Sequence, residues 1–138
     1  MVEVASKMLA THLKQMSGAE IPVVLERELA GATIRDGRII PEQGTVDEAV
    51  ETFILVHKGA LTDKLGVSFE GLGRGGMRVK TLGNALVLLG PWDGVAYTGG
   101  TVYATIAFLE TLGCRYLWPG ETGKVVPKCE TVSVGPLD

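Results

Sequence analysis

Apolar residues recur at Ala5, Met8, Leu9, Leu13 and Met16, with Lys7, Thr11, Lys14 and Gln15 between them. This is the stripe of an amphipathic helix over residues 4–16, packed on one face, and Ser17-Gly18 stops it. Residues 21–25 (IPVVL) form a short β-like run, placed by Pro22 at a strand start or a sheet edge. Phe53–Val56 and Ala85–Leu89 are uninterrupted apolar runs of strand length, the pattern of buried strands. The first of them reads as a central strand. Residues 77–81 alternate instead, and with the turn pair Gly83-Asn84 they predict an antiparallel hairpin with Ala85–Leu89. A short helix is expected over residues 60–65, stopped by Gly66, and a last strand over residues 131–134.

Residues 26–52 are the least regular part. Gly31, Asp36-Gly37, Pro41 and Gly44 punctuate them. The pattern fits a surface excursion with hairpin arms at 32–35 and 38–40. Thr45 followed by Glu48 fits a capping box opening one helical turn over residues 45–50.

The stretch from Gly99 to Gly120 organises the rest. Between Val102 and Leu112 only Thr105, Glu110 and Thr111 are polar, so the helix is covered on more than one side. Thr98 and Thr101 are its candidate N-caps. Ile106, one turn from Val102, reads as a core position. Gly113 supplies the left-handed residue that ends the helix. Cys114, Tyr116 and Trp118 then alternate with Arg115 and Leu117, and Pro119-Gly120 forces a turn.

Length and charge narrow the function classes. The 138 residues fit one domain, residues 1–138. Sixteen acids against thirteen bases give a net charge of −3, which argues against a nucleic-acid surface. No apolar run approaches the roughly 20 residues that span a bilayer. The opening MVEVASKMLA lacks a basic segment followed by an apolar one, so a secreted or periplasmic parent would carry its signal outside this chain. Only 21% of residues are charged, which suits a domain that covers apolar surface with a partner, or a tightly packed monomer.

Candidate chemistry is sparse. Cys114 and Cys129 match no zinc spacing, and the two histidines are far away in sequence, so no metal site is expected. Two free thiols are favoured over a disulfide. His12 lies on the apolar stripe without an acid or second histidine at helical spacing, and reads as a hydrogen-bonded packing residue. Residues 71–76 match G-x-G-x-x-G, but the pattern after them is a strand, whereas a dinucleotide site needs a helix there. Trp92, Asp93 and Tyr97 flank a glycine-rich helix entry. They read as a turn whose tryptophan packs on a neighbour, with a carbohydrate contact as the alternative.

A resemblance enters with Gly100, Thr101, Tyr103, Phe108, Leu109, Glu110, Gly113, Arg115, Trp118, Pro119 and Gly120. Their order is similar to that in the N-terminal domain of family 67 α-glucuronidases and of related bacterial proteins. Ser17-Gly18-Ala19, Ile21-Pro22-Val23, Thr81, Gly83-Asn84, Leu86-Val87-Leu88 and Val125-Val126-Pro127-Lys128 resemble further motifs of that domain, leaving residues 26–52 as a variable insertion. The chain departs by opening on a helix where the family has a strand, and by Gly99 where it often has Arg.

The resemblance implies an α+β fold: an α/β sandwich with a mixed sheet and two main helices on one side, like the front domain of β-hexosaminidases. It also implies a non-catalytic N-terminal domain of a glycoside hydrolase, buttressing a (β/α)8 barrel that is absent here. The parent would be the enzyme. Glycosidase chemistry needs two carboxylates about 5–10 Å apart, and nothing in the sequence pairs Asp93, Glu110 or Glu121. No catalytic residue and no cofactor is expected. Arg115, Tyr116 and Trp118 are the candidate domain-docking residues, and a free-standing carbohydrate-binding module is the alternative.

Overall fold

The fold is built outward from one strand, every residue of which is buried: β5 (Ala85–Leu89). The computed structural model describes residues 2–91 and 99–137. Along β5 run β3 (Phe53–Val56), parallel, and β4 (Arg78–Leu82), antiparallel, giving a mixed sheet in the order β3-β5-β4. The β4–β5 hairpin turns on Gly83-Asn84, as the sequence predicts, with Leu82 opposite Ala85.

Both faces of β5 are covered. On one, Leu86 and Leu88 meet Leu9, Leu13 and Met16 of α1 (Val2–Ser17) and Ala104, Phe108 and Leu109 of α3 (Gly100–Thr111). On the other, Ala85 packs with Leu61 of α2 (Ala60–Lys64), Phe53, Leu29 and Ile39. Val87 and Leu89 pack with Val67 there. The molecule is therefore α+β, with its two main helices on one side of a mixed sheet.

β3 is an edge strand, not the central one. An unbroken apolar run reports two covered faces, and it says nothing about whether both edges are paired. Ile54 and Val56 face the helices while Phe53 and Leu55 face the opposite layer, which accounts for the run.

Residues 26–52 hold a short 3-10 helix (Glu26–Leu29) and the expected hairpin, β1 (Thr33–Arg35) with β2 (Arg38–Ile40). Asp36 and Gly37 both take positive φ, 52° and 73°, the turn whose twist matches a two-residue hairpin. This segment also contributes core, since Leu29, Ala32 and Ile39 are buried. The Asn84 side chain fixes it to the sheet: Oδ1 accepts from the Ile39 amide at 2.8 Å and Nδ2 donates to the Ile39 carbonyl at 2.9 Å. The two turns touch so closely that a Cβ on Gly83 would lie 2.3 Å from the Gly37 carbonyl oxygen.

Several expected elements are absent. Residues 45–50 form turns and no helix; Thr45 donates its hydroxyl back to the Glu42 carbonyl and does not cap. Residues 21–25 form no strand, and residues 131–134 form none either. The tail instead lays Val126, Cys129, Val132 and Leu137 on the core between α1 and α3. Leu137 reaches Thr81 on the outer edge of β4, accepting its amide at 3.0 Å. Ile106 is only partly buried; Val102, Ala104, Phe108 and Leu109 are the buried apolar positions of α3. A helix apolar nearly all round carries no periodicity to say which side is deepest.

Candidate functional site

The end of α3 fixes the aromatic corner. Gly113, at φ 95°, donates to the Glu110 carbonyl, and Cys114 donates to the Leu109 carbonyl at 3.0 Å. This pair of bonds satisfies the last helical carbonyls and turns the chain sharply. Arg115 reinforces the stop, its Nη1 donating to the carbonyls of Glu110 and Cys114 at 2.8 and 2.7 Å. β6 (Arg115–Tyr116) then pairs antiparallel with β7 (Lys124–Val125). Leu117 donates to the Gly123 carbonyl at 2.8 Å, and Trp118 Nε1 donates to Thr122 Oγ1 at 3.1 Å. These bonds tie down the corner's backbone, yet its side chains face outward: Tyr116, Leu117 and Trp118 are 47%, 62% and 54% exposed.

Tyr116 ties this corner to α1. His12 is buried, and its Nδ1 faces the Met8 carbonyl at 2.7 Å. A carbonyl only accepts, so Nδ1 carries the proton and Nε2 accepts from the Tyr116 hydroxyl. Burial pushes the His12 pKa down, with Lys124 acting in the same direction, against the Met8 carbonyl and Glu121. Burial pushes the Tyr116 hydroxyl up. The expectation of a hydrogen-bonded packing histidine describes His12. Its partner, 104 residues away, leaves no trace in local sequence.

Cys114 is fully buried with its sulfur 4.0 Å from that of Met16; Cys129 is partly buried, and both are free thiols. Glu110 is exposed on α3, and Glu121 is exposed at the start of the 3-10 turn Glu121–Gly123. Among the described residues, no three of His, Cys, Asp and Glu converge as a metal site would require. Among them too, no helix is long and apolar enough to cross a membrane.

A second cluster lies at the carboxyl ends of the parallel strands. The N-cap of α3 is Gly99, which has no side chain to offer. Thr101 sits inside the helix and is buried, its Oγ1 donating to the Gly90 carbonyl and accepting the Gly90 amide, both at 3.2 Å. That hydroxyl also accepts from His57 Nδ1 at 2.7 Å. His57 follows β3 with φ 77° and leans on Phe69. Burial, with Lys58 nearby, holds its pKa below the usual histidine range.

Here the glycine loop finds its role. A Cβ on Gly90 would lie 2.4 Å from the Gly76 carbonyl oxygen, and one on Gly100 would lie 2.1 Å from it. Three backbones meet where only glycine fits. The loop at 71–76 runs into β4, so no helix N-terminus follows it to receive a phosphate. The sequence singled out neither His57 nor the bridging role of Thr101; the only local signal was a histidine ending an apolar run.

Trp92, Asp93 and Tyr97, the candidate carbohydrate contacts, lie outside the described residues, as does Thr98. Compared with protein-family models, curated proteins and solved structures, the chain matches none of them.

Proposed function

We propose that this chain is a non-catalytic N-terminal domain of a glycoside hydrolase resembling the α-glucuronidases, and that Arg115, Tyr116 and Trp118 dock it against a catalytic barrel. The sandwich would then be of the kind that fronts β-hexosaminidases. One observation carries the reading: two aromatics and a leucine stand exposed on a backbone pinned by a helix stop, a strand pair and a turn. Aromatic residues and arginine are enriched at interface hot spots, and pre-organisation lowers the ordering cost of docking. The arrangement offers a surface without an acid–base pair, since the buried His12 is committed to Met8 and Tyr116.

Trp118→Ala in the isolated chain and in a longer protein carrying the barrel tests this. Docking predicts a loss of less than about 1 kcal/mol in the isolated chain and a clearly larger loss of thermal stability with the barrel present. A core role predicts roughly 3–5 kcal/mol in both. The exposure of Trp118 also suits the second reading, a carbohydrate-binding module. Titration of the isolated chain with xylo- and glucurono-oligosaccharides separates the two, because only a module binds sugar alone.

A further inference from the structure

The most conspicuous unpaired backbone lies on the outer edge of β3. Phe53 donates its amide to the Asn84 carbonyl and His57 donates to the Leu88 carbonyl, both toward β5. In a parallel pair, alternate residues face opposite edges, so the amides and carbonyls of Ile54 and Val56 point away from β5. No strand pairs with that edge among the described residues.

Ile21 and Glu26 lie near the two ends of that strand. Ile21 lines the same groove as Thr52 and Ile54, a cavity of about 640 Å³ at the start of β3. At the other end, Glu26 accepts the Leu61 amide at 2.8 Å, and its carboxylate lies against Gly59, just past the end of β3. The segment therefore travels in the same direction as β3. Its span also matches: five steps separate Ile21 from Glu26 and five separate Ile54 from Gly59, about 17 Å each at strand rise. Leu25 already has extended dihedrals, φ −81° and ψ 141°. Ile21, Val23, Val24 and Leu25 are all exposed, a run of β-favouring residues that buries little where it stands.

We propose that residues 21–25 are a strap that closes onto β3 as a fourth, parallel strand. The sequence fits that slot in one register. Pro22 has no amide to donate, so it must face away from β3, which puts the odd positions toward it. Val23 then donates to the Ile54 carbonyl and Leu25 to the Val56 carbonyl, while Ile54 and Val56 donate to the carbonyls of Ile21 and Val23. Closure frees Leu25 from a long bond, 3.3 Å, between its amide and the Glu28 carboxylate. It satisfies four backbone groups of β3 and covers an edge that would otherwise invite pairing between molecules.

Amide hydrogen exchange on the whole chain, resolved by residue, tests the strap with two proline variants. The Val23→Pro change removes an amide that the closed strap uses; Val24→Pro removes one that faces water. The strap predicts that Val23, Leu25, Ile54 and Val56 exchange at least about 100-fold more slowly than unprotected amides. It predicts that Val23→Pro abolishes this protection at Ile54 and Val56, and that Val24→Pro keeps it. Fast exchange at Ile54 and Val56 in the unmodified chain overturns the proposal, as does an equal effect of the two prolines. Protection that grows with protein concentration, together with a dimer in light scattering, also overturns it, because β3 then pairs with a second copy.

Discussion

Asn84→Ala isolates the joint between the β1–β2 hairpin and the sheet. In the native chain the Asn84 amide makes two bonds, 2.8 and 2.9 Å, to the amide and carbonyl of Ile39, a residue only 1% exposed. Truncation removes both bonds, each worth about 1 kcal/mol net, and strands a donor and an acceptor whose burial costs roughly 1–3 kcal/mol apiece. Asn84 itself is partly exposed, so water reaches part of the vacated space and offsets some of this cost. The expected loss is about 2–4 kcal/mol, a large share of a total stability of roughly 5–15 kcal/mol. Urea unfolding measures it. Hydrogen exchange should place it, with amides of Thr33–Arg35 and Arg38–Ile40 losing protection ahead of those of β5. Asn84→Asp keeps the acceptor for the Ile39 amide and turns a second oxygen toward the Ile39 carbonyl, so it should also destabilise. A change below about 0.5 kcal/mol for Asn84→Ala, with hairpin protection intact, would show that this joint does not hold the layer.

Two further outcomes follow from the same geometry. Gly100→Ala should cost at least about 2 kcal/mol in a denaturant titration, because its Cβ meets the Gly76 carbonyl oxygen at 2.1 Å. Gly73→Ala, which meets nothing within 4 Å, should change little, and equal effects would refute the three-glycine junction. For pH, burial favours neutral His12 in the fold, so its contribution is fully present above the unfolded histidine pKa of about 6.5 and is lost as pH falls through that value toward the depressed folded one. Stability should therefore fall from pH 7.5 to pH 5, and His12→Gln should flatten part of the slope; an unchanged slope would contradict the burial argument.

What the sequence made legible was local or face-related. The stripe from Ala5 to Met16, the stop at Gly113, the Asp36-Gly37 hairpin and the β4–β5 pair each depend on neighbours a few residues apart, and each appears in the structure. What it hid was long-range. The bonds from Asn84 to Ile39, from Tyr116 to His12 and from His57 to Thr101 join residues 44 to 104 positions apart. A threonine at a helix start is a natural cap, but tertiary contact with Gly90 takes the Thr101 hydroxyl instead. Residues 131–134 carry strand-like composition, but the tail spends its apolar side chains on the α1–α3 core. For the corner, residue type and position were readable from Arg115 to Trp118, whereas their exposure was not. A tryptophan after a buried helix fits a core and a surface equally well until its neighbours are placed.

Hydroxyl-radical footprinting at Tyr116 and Trp118 tests the docking proposal most directly. The side chains are oxidised in the isolated chain and in a longer protein that carries the following barrel, and the two rates are compared. Docking predicts ready oxidation of both residues in the isolated chain, in keeping with their exposure, and at least about tenfold protection when the barrel is present. Equal oxidation in the two contexts would contradict the account, because the corner would then remain open to solvent beside the very partner it is proposed to meet.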